Sequence, residues 1–144
     1  YNSQAGAFSI PILYFDPGNE SLSGQYNHVS QQTDILPSIL DYLHFPEPFI
    51  AFGKSIFDTS ASRIAFNYLN EHYQIIDDKS QLSLSNGKEL TDVYDISKSW
   101  ILTDNKIGRD IKQDSSLLHL HQALIQQYNH RILHNKLIIS KNGN

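Results

Sequence analysis

The sequence contains no cysteine. A disulfide framework, a thiolate zinc site and a cysteine nucleophile are therefore excluded. Methionine is also absent, and the chain begins at Tyr1. The expectation is a processed or excised segment of a longer protein. Basic residues are few and scattered: 11 Lys and Arg stand against 15 Asp and Glu, for a net charge of −4. A nucleic-acid-binding surface would need a basic patch, and no run of basic residues supplies one. No apolar stretch approaches the ~18 residues of a membrane span, and no signal peptide is recognisable.

What is present is a globular composition. Hydrophobic residues make up 40% of the 144, and aromatics 11%. A chain of this size forms one domain or one half of a larger one, and it hides about 68–70% of its unfolded surface.

The apolar run Phe8-Ser9-Ile10-Pro11-Ile12-Leu13-Tyr14-Phe15 ends at the turn signal Asp16-Pro17-Gly18-Asn19. A short continuous run closed by a turn predicts a strand buried on both faces, with Pro11 near its start or on an edge. Ile35, Leu36, Ile39, Leu40 and Leu43 recur at helical spacing and predict an amphipathic helix over 33–43. Ser30 or Thr33 is the expected cap, and Pro37 confines the start to the preceding few residues. Residues 46–62 read as an irregular connection.

At residue 63 the period changes. Ile64 to Leu69, Tyr73 to Ile76, Gln81 to Leu84 and Leu90 to Ile96 alternate as strands, and Asn86-Gly87 is a strong hairpin signal. From Asp114 or Ser115 to about Ile138 the helical period returns, with Leu117, Leu120, Leu124, Tyr128 and Ile132 on one stripe. The expected architecture is thus α/β. Residues 1–62 carry a strand and a helix. Residues 63–144 form a four-stranded antiparallel meander packed against a long C-terminal helix.

Seven histidines raise the question of a metal. His130 and His134 share a helix face at i, i+4, but Arg131-Ile132-Leu133 lies between them and no HExxH glutamate is present. His119 and His121 point to different faces. Spacing alone does not define a site, so these histidines are read as exposed or half-buried helix residues and no metal ligand is assigned. No Gly-x-Ser-x-Gly, Walker lysine or Gly-x-Gly-x-x-Gly occurs. Phe52-Gly53-Lys54-Ser55 lacks the upstream glycine of a phosphate loop and reads as a turn leading into a strand. The loop Tyr26-Asn27-His28-Val29-Ser30-Gln31-Gln32 precedes a helix N-terminus, where backbone N–H groups favour anions. His28 is either a solvated loop residue or a contact to a phosphate or sulfate group. It is the one candidate substrate-binding residue, and no catalytic residue is assigned.

Taken in order, the segment Ile10–Phe15, the polar loop, Val29-Ser30-Gln31-Gln32-Thr33-Asp34-Ile35-Leu36-Pro37-Ser38-Ile39-Leu40-Asp41-Tyr42-Leu43, then Phe52-Gly53-Lys54-Ser55-Ile56-Phe57, and a meander ending in Val93-Tyr94-Asp95-Ile96, form a recognisable series. The series resembles the C-terminal third of the sulfatase family of the alkaline-phosphatase superfamily, in the lipoteichoic-acid-synthase-like and phosphoethanolamine-transferase branch. The family pattern carries threonine where this chain has Ser38. The tail Ala123-Leu124-Ile125-Gln126-Gln127-Tyr128-Asn129 also resembles this branch, so the likeness spans about residues 8–137.

The resemblance implies that residues 1–62 form the C-terminal edge of an alkaline-phosphatase-like core. It implies a membrane-anchored extracytoplasmic parent that acts on sulfate or phosphate esters with a divalent metal (Mn, Mg, Ca or Zn). It also implies a limit. The family's nucleophile and metal ligands lie upstream, and the last ligands, an Asp-His pair, precede the strand. No Asp-His dipeptide occurs here, so the chain alone is expected to be inactive, without a cofactor of its own. Its partners would be the upstream catalytic portion and the ester substrate. The competing reading is a non-catalytic α+β interaction module.

Overall fold

The computed structural model describes residues 9–97, 105–107 and 115–139. It is a mixed α/β fold with a four-stranded antiparallel sheet and a C-terminal helix.

The sheet follows the alternation closely. Strands β1 (Ala65–Leu69), β2 (His72–Ile76), β3 (Ser80–Ser85) and β4 (Glu89–Asp95) lie in sequence order, each antiparallel to the next. Both tight hairpins rest on left-handed backbone. Asn70 and Glu71 join β1 to β2 with φ of 49° and 65°, and Asn86 and Gly87 carry φ of 50° and 70° between β3 and β4. Positive φ at two successive positions matches the right-handed twist of the strands, and Asn-Gly supplies it at little strain. Leu84 faces Leu90 and Ser83 faces Asp92, so Thr91 is the extra residue of a bulge.

Register sets the core. Phe66, Ile75, Leu82 and Val93 lie directly across from one another on one face. Helix α2 (Ser115–Leu133) covers that face, with Leu117 buried against Ile75, Leu82 and Val93 and with Leu118, Leu120 and Leu124 around them. A smaller cluster of Val29, Ile76 and Ile96 closes part of the other face. The sheet edges are also managed, since a bare edge invites pairing with other chains. The Phe66 N–H of β1 donates to Gln31 Oε1 at 2.9 Å. Along β4, the Lys106 N–H donates to Val93 O at 2.7 Å, and Asn105 Oδ1 accepts from the Val93 N–H at 3.1 Å.

Several expectations are corrected. Helix α2 ends at Leu133, short of Ile138, and Asn135 turns left-handed beyond it. Its expected cap Asp114 lies outside the described residues. His121 is not an exposed or half-buried helix residue. It is fully buried, edge-on to Phe66, with neither ring nitrogen hydrogen-bonded.

The segment 9–16 is not a strand. Leu13 is 87% exposed and Phe15 81%, while Ile12 and Tyr14 are half-buried. The backbone is extended with one face covered, and among the described residues no strand lies beside it to form a ladder.

The first helix, α1 (Ile35–Tyr42), falls inside the predicted span, behind a 3-10 turn at Gln32–Asp34. Its buried residues are Pro37 and Ser38, whereas Leu36 is 56% exposed and Leu43 beyond its end 66%. Of the expected apolar stripe, Leu36, Ile39 and Leu43 are exposed and Ile35 and Leu40 only half-buried, contrary to the expectation of a buried face. The cause is the polar side of the helix, which is held against the chain by hydrogen bonds. Nor does Gly53 lead into a strand. Its segment runs irregularly along α1.

Candidate functional site

Asp34 is the hub of the first region. It is buried at the entrance to α1, where one carboxylate oxygen accepts from its own turn, the Gln31 N–H at 3.0 Å. The other accepts from the Lys54 N–H at 2.9 Å, 20 residues away. Neither Ser30 nor Thr33 is the cap: Gln31 is the N-cap of the 3-10 turn and forms a capping box with Asp34, whose carboxylate also reaches Lys54. One turn on, the buried Ser38 hydroxyl donates to Asp34 O at 2.6 Å and accepts from the Ile56 N–H at 3.0 Å. The Ser55 hydroxyl donates to Asp41. Residues 54, 55 and 56 are therefore each tied to α1 or its entrance by a polar contact.

The approach is so close that a β-carbon at Gly53 would stand 2.1 Å from Thr33 O and 2.6 Å from Asp34 N. Only glycine fits there. The spacing of Asp34, Ser38 and Gly53 is visible in the sequence, but their mutual contact is not.

Beside this clamp lies a cavity of about 530 Å³. Ile12, Tyr14 and Phe57 are among its lining residues, as are His28 and Arg63. Tyr14 and Tyr42 both set their rings against Phe57, and the Tyr42 hydroxyl donates to Asp16. That bond and the Gly18 N–H hold the Asp16 carboxyl below the usual carboxylate range.

His28 is the contact that the sequence nominates. Its Nδ1 lies 3.0 Å from Asp78 Oδ2, while Asp78 Oδ1 accepts from the Val29 N–H at 2.9 Å. Asp78 thus pins the His28 loop to the β2–β3 turn. The pair is solvent-exposed, so its role is to fix geometry more than to add stability.

Arg63 donates to three backbone carbonyls, Ser55 at 3.3 Å, Ile56 at 2.8 Å and Asp58 at 2.9 Å. It is also one of the residues lining the cavity. Neither Asp78 nor Arg63 carries a sequence signal, since each acts through a contact set by the fold.

Among the described residues no group of three or more His, Asp or Glu side chains is placed to bind a metal. Also among the described residues, no helix is long and apolar enough to cross a membrane. Compared with known protein families, curated proteins and solved structures, the chain finds no match.

Proposed function

We propose that this chain is the C-terminal part of a metal-dependent, extracytoplasmic sulfatase or phosphoglycerol/phosphoethanolamine transferase. In that role it supplies core packing and one wall of the substrate cleft. The nucleophile and the divalent metal (Mn, Mg, Ca or Zn) would belong to the upstream portion.

The observation that carries this reading is the outward display of Leu13, Phe15, Leu36 and Leu43 around a rigid polar clamp. Exposed apolar side chains of this size suit a contact with another body of protein. A half-core awaiting the rest of an α/β sheet would look this way. The resemblance in the order of segments names which sheet. His28 then faces the cleft and meets an ester oxyanion, with Asp78 holding its ring.

The self-contained packing of β1–β4 against α2 favours a second reading, a non-catalytic α+β interaction module. The test begins with the reading frame before Tyr1. It should encode an Asp-His pair and, further upstream, a threonine, serine or cysteine nucleophile. The full-length product should cleave aryl sulfate or aryl phosphate in a manganese-dependent, chelator-sensitive way. The 144-residue chain should not, because ester cleavage of this kind needs a metal-activated nucleophile. An upstream region lacking those residues, with no metal-dependent turnover, establishes the interaction module instead.

A further inference from the structure

We infer that the C-terminal end of α2 and the segment that follows it, residues 131–139, dock on an anionic lipid surface. This inference is independent of the enzyme reading. Charge along the chain is segregated. All 15 Asp and Glu lie before Ser115, together with eight of the 11 Lys and Arg. The 30 residues from Ser115 onward hold Arg131, Lys136 and Lys141 and no acid, so the side-chain charge is −7 up to residue 114 and +3 beyond it. Such asymmetry between parts of one chain points to a polyanionic partner.

The same stretch displays its apolar side chains. Of the eight residues 132–139 five are Ile or Leu, and none of the five is buried: Ile132 is 46% exposed, Leu133 80%, Leu137 44%, Ile138 77% and Ile139 44%. The backbone stops the helix here. The Lys136 N–H donates to Arg131 O at 2.8 Å and the Asn135 N–H to Ile132 O at 3.2 Å, with Asn135 at φ of 52°. Two such bonds around a left-handed residue cap a helix C-terminus and turn the chain off its axis. Residues 137–139 therefore run as irregular backbone beyond the helix end, not as a further turn of α2.

Charge and apolarity together select the partner. Arg131 is half-buried, and its guanidinium donates to Lys136 O at 3.2 Å, which holds the turn; Lys136 is exposed. Among the described residues the ion pairs are His28 with Asp78 and Lys106 with Asp95, so no carboxylate engages either cation. A nucleic acid would reward the cations but not five exposed aliphatic side chains. A second copy of this chain would cover the aliphatic side chains but set like charges against each other. An anionic lipid surface rewards both. Aliphatic side chains enter the boundary between headgroups and acyl chains, and the cations meet the negative headgroups. The contact is peripheral and needs no membrane-crossing helix.

The test is flotation of the 144-residue chain with vesicles of phosphatidylcholine, alone or with about 30% phosphatidylserine, in low salt and again at roughly 0.5 M. The chain should float with the anionic vesicles, and far less with neutral ones or in high salt. Leu133→Glu and Ile138→Glu should each lower the partition about ten-fold or more, since each exchanges an apolar contact for a charge that the surface repels. Lys136→Gln should lower it about five-fold. Leu13→Glu, at a leucine just as exposed but in the acid-rich part of the chain, should leave it unchanged. All four positions are exposed, so circular dichroism should show the fold retained. Equal flotation with neutral vesicles, no flotation, loss with Leu13→Glu, or full retention in Leu133→Glu overturns the inference. So does binding to RNA or to an acidic polypeptide, or a dimer dissolved by Leu133→Glu, in place of flotation.

Discussion

Leu82 and Leu43 are the same side chain in opposite circumstances. Leu82 is fully enclosed between β2, β4 and α2, whereas Leu43 stands in solvent beyond the end of α1. The contrast extends to the two regions around them. From residue 64 onward, each strand pairs with its neighbour in sequence and one helix roofs the sheet, so short-range connections close a core. Before residue 63 an eight-residue helix, an extended segment and a long irregular connection cannot enclose one another. Order there comes from polar contacts: Asp34, Ser38 and Asp41 grip residues 54–56, and Arg63 grips 55–58. Apolar burial is non-directional and tolerant, whereas a hydrogen-bonded clamp is directional and fails when one geometry fails.

The sharpest way to break this comparison is a pair of truncations. Leu82→Ala should cost about 3–4 kcal/mol, the transfer term plus the cavity left behind. Leu43→Ala should stay within about ±0.5 kcal/mol, as surface changes do. Urea denaturation followed by far-ultraviolet circular dichroism reads both. If Leu43→Ala destabilises as much as Leu82→Ala, the two regions do not differ in the way described.

The clamp has its own test. Gly53→Ala should cost about 3 kcal/mol or more, because the added methyl meets the Thr33 carbonyl at 2.1 Å and backbone must move. The expected signature is local. Lys54 and Ile56 amides should lose hydrogen-exchange protection while Ile75 and Leu82 keep theirs. Uniform loss of protection would mean that the two regions unfold as one.

His121 makes the closed region sensitive to acid. Burial without a partner pushes its folded-state pKa down to about 4, whereas an unfolded histidine titrates near ~6.5. Between these values the unfolded chain takes up a proton that the folded chain refuses. The stability conferred by the neutral ring is therefore complete above about pH 6.5, falls as pH drops towards 4, and is flat below, a loss of about 3 kcal/mol in all. His121→Leu should remove that slope from a series of melting temperatures spanning roughly pH 4–7. An unchanged slope would place the acid response elsewhere.

The smallest effect is a gain. Glu71 holds φ of 65° in the β1–β2 hairpin, a conformation that costs a residue with a β-carbon roughly 1–2 kcal/mol. Glu71→Gly should raise stability by about 0.5–1 kcal/mol, after allowing for glycine's greater freedom in the unfolded chain. A lower melting temperature would show that the Glu71 side chain contributes more than its backbone strain removes.

The meander is legible in the sequence because alternation and Asn86-Gly87 are local signals, and a local turn fixes register for every pair that follows. Helix α2 is legible as a helix for the same reason, but its buried residues are Leu117, His121 and Ile125, whereas Tyr128 and Ile132 of the expected stripe are exposed. The orientation of α1 is not legible. Its apolar stripe is a sound local pattern, but which face turns inward is decided by contacts of Asp34 and Ser38 with a segment some 20 residues away. The strand expected at 8–15 fails on similar grounds, because an extended apolar run becomes a strand only when a neighbour accepts its hydrogen bonds.

The sequence by itself determined the period of each element, the two-residue turns, and the candidacy of His28, since all of these depend on neighbours along the chain. Tertiary structure alone decided that Asp78 would hold His28, that Arg63 would stand in the same cavity, that Gly53 would lie against Thr33, and that His121 of α2 would be sealed against Phe66. Each of those outcomes joins residues between 20 and 55 positions apart. Contacts at that range are set by how elements pack, and no local propensity encodes them.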